Sequence, residues 1–203
     1  MATVTDISEF RGIVTVTVDG RDTLKVRRSH FSKCPVAPGE EVDLEAYASR
    51  LAAVQFADGY EAALNSLDIC ARSSREIAQS LRRRGYVEPA VEAIVARLTE
   101  NRLSDDARYA ERMAEQQAGK AVGVYAFKRK LRAKGISEED AEAALDAFDD
   151  AQQPAAALSA AQKLFRKYES LPRREARAKL SQALARRGFP WDAIESAVEQ
   201  LID

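Results

Sequence analysis

Runs of charge of a single sign are the feature of this sequence that could do chemistry. Residues 120–134 contain six basic side chains and no acidic one, whereas residues 135–150 contain seven acidic side chains and no basic one. The basic run is Lys120, Lys128, Arg129, Lys130, Arg132 and Lys134, and the acidic run is Glu138, Glu139, Asp140, Glu142, Asp146, Asp149 and Asp150. Clustered cations attract acidic or polyanionic partners even in a chain whose net charge is only −1.

A similar separation of charge recurs around Gly188, where basic residues dominate the helix before the glycine and only acidic charges follow it. Basic residues also cluster just before Gly85. Bases favour the carboxyl ends of helices and pair with acidic helices nearby, and this accounts for the position just before each glycine. It does not account for whole helices of one sign, so we expect a discontinuous positive stripe that contacts a partner. The predicted contact residues are Arg82, Arg83, Arg84, Lys128, Arg129, Lys130, Arg132, Lys134, Arg173, Arg174, Arg177, Arg186 and Arg187.

Residues that could support catalysis are few. His30 is the only histidine, and Cys34 and Cys70 lie far apart, without the spacing of a metal or redox site. No phosphate-binding glycine motif occurs. We therefore expect no catalytic residue, no cofactor and no small-molecule substrate, with both cysteines present as reduced thiols.

Adjacent carboxylates at Asp105 and Asp106 could in principle hold a metal together with Glu111 and Glu115. A serine followed by two acids is, however, typical of a helix amino terminus, where the helix dipole favours negative charge. The sequence therefore predicts a helix start here and no metal site.

The elements that position these charges repeat along the chain. A leucine, three residues, a glycine and a large apolar residue occur three times, and the glycines lie 50 and then 53 residues apart. The copies are Leu81 to Tyr86, Leu131 to Ile136 and Leu184 to Phe189, preceded by Ile77, Phe127 and Leu180. A glycine here ends a helix, because the next residue after a helix often adopts a left-handed conformation. We expect the apolar residue after each glycine to pack in the core.

Each glycine is followed by apolar residues at helical spacing, and a further helix precedes each pair, at about 60–72, 105–117 and 154–168. Ser73 with Glu76, and Ser137 with Asp140, resemble capping boxes. Each unit is thus a three-helix module of about 50 residues, too small to be robust alone, so neighbouring modules should stack in an elongated array. Trp191 is expected to pack within it.

Strand signals are confined to the first thirty residues or so. The run Ile13–Val18 is β-branched, and Asp19-Gly20 after it predicts a hairpin that packs on a helix at about 44–56. The predicted fold is mainly α, with three tandem three-helix repeats and a short amino-terminal β-hairpin. The expected domains are 1–58 for the hairpin and helix, then 59–104, 105–153 and 154–203 for the repeats.

Composition sets the class of protein. Hydrophobic residues make up 46% of the chain and charged residues 31%, which is too apolar for disorder and too charged for a membrane protein. No apolar run reaches the length of a membrane span, and the amino terminus has no signal-peptide pattern. We expect a cytoplasmic protein.

Four segments resemble the RecX regulatory proteins: 71–86, 103–113, 127–137 and 166–189. The most specific piece is the pattern D-x-R-aromatic-A formed by Asp106, Arg108 and Tyr109. The resemblance, which covers about 60–203, implies tandem three-helix repeats, no catalysis, and binding to RecA filaments on DNA. It also implies that the chain lies in the filament groove and reduces ATP hydrolysis and strand exchange. One departure is Ser73-Ser74, where many members have a proline-containing turn.

Two other functions remain open on the sequence. One is a sequence-independent DNA-binding helical protein, because three-helix modules resemble helix-turn-helix units. The near-neutral charge and the acidic last helices oppose it, so any direct contact with single- or double-stranded DNA should be weak. The other is a general helical-repeat adaptor.

Overall fold

The computed structural model describes residues 1–117, 120–146 and 153–202. The chain forms two compact units, Met1–Asp105 and Asp106–Asp203. Most of the described residues are helical, so the prediction of a mainly α fold with three-helix repeats and an amino-terminal hairpin is confirmed. Asp149 and Asp150, which belong to the acidic run of the sequence, lie outside the described part.

An antiparallel sheet opens the first unit. Its strands are β1 (Ala2–Phe10), β2 (Ile13–Val18), β3 (Asp22–Arg27) and β4 (Glu41–Val42), in the spatial order β3-β2-β1-β4. The predicted hairpin is β2–β3, and Asp19 and Gly20 both have positive φ, as its tight turn requires. The expectation that strands end near residue 30 is wrong for β4. Strand β1 escaped prediction because a register shift between Val4 and Asp6 breaks its alternation.

Three helices and a short helical turn complete the first unit. They are α1 (Arg28–Phe31), α2 (Leu44–Ile69), α3 (Ser74–Arg83) and α4 (Glu88–Glu100). Helix α2 joins the two helices expected at 44–56 and 60–72, so the boundary expected between 58 and 59 falls inside it. Gly59 does not interrupt this helix. A methyl group on Gly59 would lie 2.8 Å from Tyr86 Cε1, so the glycine allows the chain after α3 to approach α2 closely.

The core of this unit joins the sheet to the helices. Val14, Val16 and Val26 on the inner face of the sheet belong to one buried cluster with Tyr47 and Leu51 of α2. The hairpin therefore packs on a helix, as expected. The chain after α3 is fixed to α2 by a buried amide. Gln55 Nε2 donates to the Gly85 carbonyl at 2.9 Å, and Gln55 Oε1 accepts from the Val87 N–H at 2.8 Å.

The second unit consists of α5 (Asp106–Gln117), α6 (Val124–Ala133), α7 (Glu138–Asp146), α8 (Gln153–Phe165), α9 (Arg173–Arg186) and α10 (Trp191–Ile202). It has two buried clusters. One is built around Phe127 and Leu131, and the other around Leu180 and Leu184. Helices α5 to α7 thus form the second repeat and α8 to α10 the third.

All three repeat glycines end a helix in the predicted way. Gly85, Gly135 and Gly188 have φ of +82°, +80° and +79°. In each copy the apolar residue after the glycine donates its N–H to the carbonyl of the leucine, as Tyr86 does to Leu81 at 3.3 Å. This is a Schellman motif, whose two ends also make an apolar contact. Tyr86, Ile136 and Phe189 are buried, which confirms their expected role in the core.

The expected capping residues take their places. Ser73 and Glu76 form a complete capping box at the start of α3. Ser137 Oγ accepts from the Asp140 N–H at 3.0 Å at the start of α7. The Ser73-Ser74 departure from the family pattern therefore supplies a helix cap.

Two further features bear on the sequence predictions. Cys34 and Cys70 are both free, and Cys70 is exposed. Within the ranges that the structure describes, every helix is too short or too polar to cross a membrane.

Candidate partner-binding surface

Part of the predicted stripe is neutralised by acids within its own repeat. In repeat one, Arg82 forms a bidentate pair with Glu88, three residues beyond Gly85, with 2.8 Å between Arg82 Nε and Glu88 Oε2. In repeat two, Arg132 pairs in the same way with Glu138, at 2.9 Å. The hydrogen bond from Arg82 holds the pKa of Glu88 below its usual value. These basic residues are therefore already engaged, as the ion-pair explanation predicts.

Two more of the predicted contact residues also have acidic neighbours. Lys128 pairs with Glu138, and its hydrogen bond is the main reason that the pKa of that carboxyl is lowered. Arg177 Nη2 lies 3.6 Å from Glu199 Oε1. Engaged cations contribute less to a long-range attraction for an acidic partner, because the neighbouring carboxylate cancels much of their field.

Repeat three lacks the ion pair that closes the other two repeats. The positions three residues before and after Gly188 are Ala185 and Trp191, where the other repeats have arginine and glutamate. Trp191 is 66% exposed, so the expectation that it packs in the core is wrong. An exposed indole at this position is unusual for a purely structural residue, because tryptophan is normally largely buried.

The turn after α9 is clamped by the amino terminus of α6. The Gly123 N–H donates to the Arg187 carbonyl at 3.1 Å, and the Tyr125 N–H donates to the Gly188 carbonyl at 3.0 Å. Between them the Val124 N–H donates to the buried side chain of Gln153 at 3.1 Å. The free N–H groups that begin α6 thus satisfy free carbonyls that end α9. This junction brings repeats two and three together.

The junction also gathers the cations that have no acidic partner. Arg129, one turn beyond Tyr125, donates from Nη2 to the Arg186 carbonyl at 3.4 Å. In the described part of the chain, none of Arg129, Arg186 and Arg187 forms an ion pair, and all three are exposed. We call Tyr125, Arg129, Arg186, Arg187 and Trp191 the α6–α9 surface.

Known proteins resemble this chain over nearly its whole length. Three family models match in tandem: the first three-helix domain of RecX at 60–98, the second at 105–145 and the third at 150–198. The Regulatory protein RecX of Limosilactobacillus reuteri is 29% identical over 195 residues, which are 95% of this chain and 73% of that protein. The namesake from Streptococcus pyogenes is 28% identical over 200 residues, 98% of this chain and 76% of that protein.

Two crystal structures are also similar. One of regulatory protein RecX has a TM-score of 0.68 at 28% identity and covers 98% of this chain and 100% of its own. RecX from Lactobacillus salivarius has a TM-score of 0.64 at 30% identity, covering 73% of this chain and 97% of its own. This chain belongs to the RecX family. The resemblance inferred from the RecX sequence segments is thereby confirmed.

Within this RecX fold, the exposed aromatics of the α6–α9 surface were not predicted as contacts. Tyr125 is 56% exposed. The sequence contained one signal for it: a tyrosine directly after Gly123-Val124, at a position of α6 off the buried Phe127 and Leu131 stripe. That position on the helix predicts exposure, but not the neighbouring arginines.

The other predicted contact residues are distributed over both units of the RecX chain. In the first unit, Arg83 and Arg84 are exposed and form no ion pair with a described residue. In the second unit, the exposed set also includes Lys130, Arg173 and Arg174, whereas Lys134 is half-buried. The RecX motif residues Asp106, Arg108 and Tyr109 lie at the start of α5, where Tyr109 packs against the Phe127 cluster.

The single histidine lies in a polar cluster that includes none of the predicted contact residues. His30 is 3% exposed, and its Nε2 atom lies 3.1 Å from Asp58 Oδ2. Tyr86 donates its hydroxyl hydrogen bond to the same carboxylate, which also pairs with Arg27. Burial lowers the pKa of His30, and the Tyr86 hydrogen bond lowers the pKa of Asp58. This cluster connects α1, α2, β3 and the turn after α3.

We expect this cluster to make stability depend on pH. The pKa of His30 is lower in the folded chain than its usual value of 6.5. The contribution of His30 to the free energy of unfolding is therefore complete above about pH 6.5, and it is lost as the pH falls from there through the lowered pKa. Melting temperatures measured from pH 8 to pH 5 should therefore fall towards acid. His30→Gln should flatten that fall. An equally steep fall in the variant would contradict the assignment to His30.

Proposed function

We propose that this chain is a non-enzymatic regulator that binds the RecA–DNA filament and lowers its ATP hydrolysis and strand exchange. The observation that carries the proposal is the α6–α9 surface in a chain of the RecX family. There, the junction of two repeats joins Arg129 and the backbone of Tyr125 to the turn that follows Arg186, and the surface carries three arginines without acidic partners and two exposed aromatics. Such a combination of cations and aromatic side chains is typical of binding surfaces.

The predicted stripe contains two kinds of cation, those that form ion pairs with acids of the same chain and those that do not. Arg82, Lys128 and Arg132 are neutralised locally and serve mainly to join helices. Arg129, Arg186 and Arg187 keep their charge available for an acidic surface, and their backbone is held by the α6–α9 hydrogen bonds. The Arg129 side chain is already held by its hydrogen bond to the Arg186 carbonyl, so less conformational entropy is lost there when a partner binds.

The remaining predicted residues take part in the proposal as outer contacts. Lys130 and Arg174, in the same unit as the α6–α9 surface, would extend its positive field without anchoring it, whereas Arg83 and Arg84 would be a separate contact on the first unit. Charges at the rim of an interface act mainly through the association rate, so binding should weaken as salt rises.

We expect the purified protein to lower the DNA-stimulated ATP hydrolysis of its cognate RecA in a dose-dependent way. The protein alone should hydrolyse no nucleotide. The measurement is a coupled ATPase assay with RecA on single-stranded DNA, with increasing amounts of this protein. Unchanged turnover at several-fold molar excess would refute the proposal.

A second measurement separates this function from general DNA binding. Affinity for DNA is determined with and without RecA across a salt series. A RecA regulator should bind RecA-coated DNA more tightly than bare DNA. Equal affinity for the two would favour the sequence-independent DNA-binding function.

A further inference from the structure

The amino-terminal unit contains a basic groove between its sheet, which lies outside the segments that match the RecX domains, and the end of α3, which lies inside the first of those segments. Its volume is about 630 Å³, and its floor is the outer face of the sheet, with Ile13 and Lys25. Its wall is the carboxyl end of α3, with Arg82 and Arg83, and the β1–β2 turn closes one end with Arg11. The groove exists because α3 ends very close to the sheet. A methyl group on Gly85 would lie 3.0 Å from the Arg27 nitrogen.

The charge in this groove is of one sign. Among the residues that the structure describes, four cations line it and no acidic residue does. Arg82 is engaged by Glu88, whereas Arg11, Lys25 and Arg83 are exposed and form no ion pair within the described ranges. Three unneutralised cations around one concave surface are complementary to an anionic chain that carries charges at intervals.

An exposed aromatic ring stands beside these cations. Phe10 is 73% exposed, and the Arg11 guanidinium lies over its ring, 5.1 Å from the centroid. Arg11 itself has a φ of +50°, a conformation that this turn normally assigns to glycine, asparagine or aspartate. The turn therefore presents a flat ring and a flat cation together at the mouth of the groove.

The combination of cations with an exposed aromatic ring favours one kind of anionic partner over the others. Bare bases stack on aromatic rings and guanidinium groups while cations contact the phosphates. A duplex hides its base faces, and an acidic peptide would pair with the cations without using Phe10. We infer that the groove between the outer sheet face and the end of α3 binds a short segment of single-stranded nucleic acid. The base stacks on Phe10, and the phosphates contact Arg11, Lys25 and Arg83.

The inference does not depend on the proposed RecA function, and its test uses no RecA. Trp191 is the only tryptophan, so Trp191→Phe combined with Phe10→Trp leaves one tryptophan at the mouth of the groove. At low salt, oligothymidylate should quench the emission of this double variant, because a stacked base quenches an indole. Polyphosphate and poly-glutamate, which have no bases, should leave the emission unchanged. No quenching by oligothymidylate, or equal quenching by poly-glutamate, would overturn the inference.

Charge reversal gives an independent readout on the full chain. Lys25→Glu with Arg83→Glu should lower the affinity for fluorescein-labelled oligothymidylate about ten-fold or more, since phosphate contacts dominate such binding. The matched control is Arg21→Glu with Lys33→Glu, an identical change of charge at exposed positions that do not line the groove. Circular dichroism verifies that both variants are folded. Equal losses in the two would overturn the site.

Discussion

Reversing Arg129, Arg186 and Arg187 to glutamate is expected to weaken inhibition of RecA about ten-fold or more, because anchoring arginines of an interface carry much of its energy. These side chains are exposed and make no ion pair among the described residues, so the fold should lose little stability. Within the chain, the reversal removes the hydrogen bond from Arg129 to the Arg186 carbonyl. The measurement is the concentration of protein that halves DNA-stimulated ATP hydrolysis by RecA.

A matched control is available in the same unit. Lys163, Arg166 and Lys167 are exposed cations in and just after α8, and none belongs to the α6–α9 surface. Their reversal to glutamate changes the net charge by the same amount. If both triple variants inhibited RecA as well as the unchanged protein does, the α6–α9 surface would not be the contact. An equal loss in both would show that only the total charge matters.

Substituting Gly188 by alanine is expected to destabilise the second unit by about 3 kcal/mol or more, from left-handed strain added to overpacking. Gly188 has a φ of +79°, and an added methyl group would overlap the backbone nitrogen of Ala126. The neighbouring element cannot yield easily, because the Tyr125 N–H is hydrogen-bonded to Gly188 itself. The measurement is urea unfolding followed by circular dichroism, which reports on the helices of both units.

Substitutions of two further glycines separate the effect of left-handed strain from the effect of overpacking. Gly39 also has a positive φ, +88°, but nothing lies within 4 Å of an added methyl group, so Gly39→Ala should cost only about 1 kcal/mol. Gly123 has an ordinary φ of −78°, yet its added methyl group would overlap Gly188. Gly123→Ala should therefore be nearly as damaging as Gly188→Ala. A Gly188→Ala variant no less stable than Gly39→Ala would argue against the junction.

Some features of this protein were determined by short stretches of sequence. The three Schellman turns need only a leucine, a glycine and an apolar residue within six positions, and all three formed as predicted. The capping box of Ser73 and Glu76 spans four residues, and the Asp19-Gly20 turn spans two. Such signals can be read from the sequence because both partners of each hydrogen bond lie within one turn of chain.

Other features depended on residues far apart in the sequence. Two helices were expected at 44–56 and 60–72 where the structure has the single helix α2, within which Gly59 accommodates Tyr86 and Ile94. Strand β1 was missed because pairing with β2 and β4, and not its own alternation, makes it a strand.

The candidate site also has features that the sequence determined and features that only the tertiary structure decided. The one-signed basic helix α6 could be read from the sequence, and so could the identity of nearly every cation that the site uses. Which of them remain available was decided by tertiary contacts. Glu88 and Glu138 form ion pairs with Arg82 and Arg132. Repeat three has Ala185 and Trp191 at the corresponding positions and therefore lacks this ion pair. The α6–α9 surface joins residues nearly sixty positions apart, and no local pattern encodes such a contact, since it forms only when the two repeats pack.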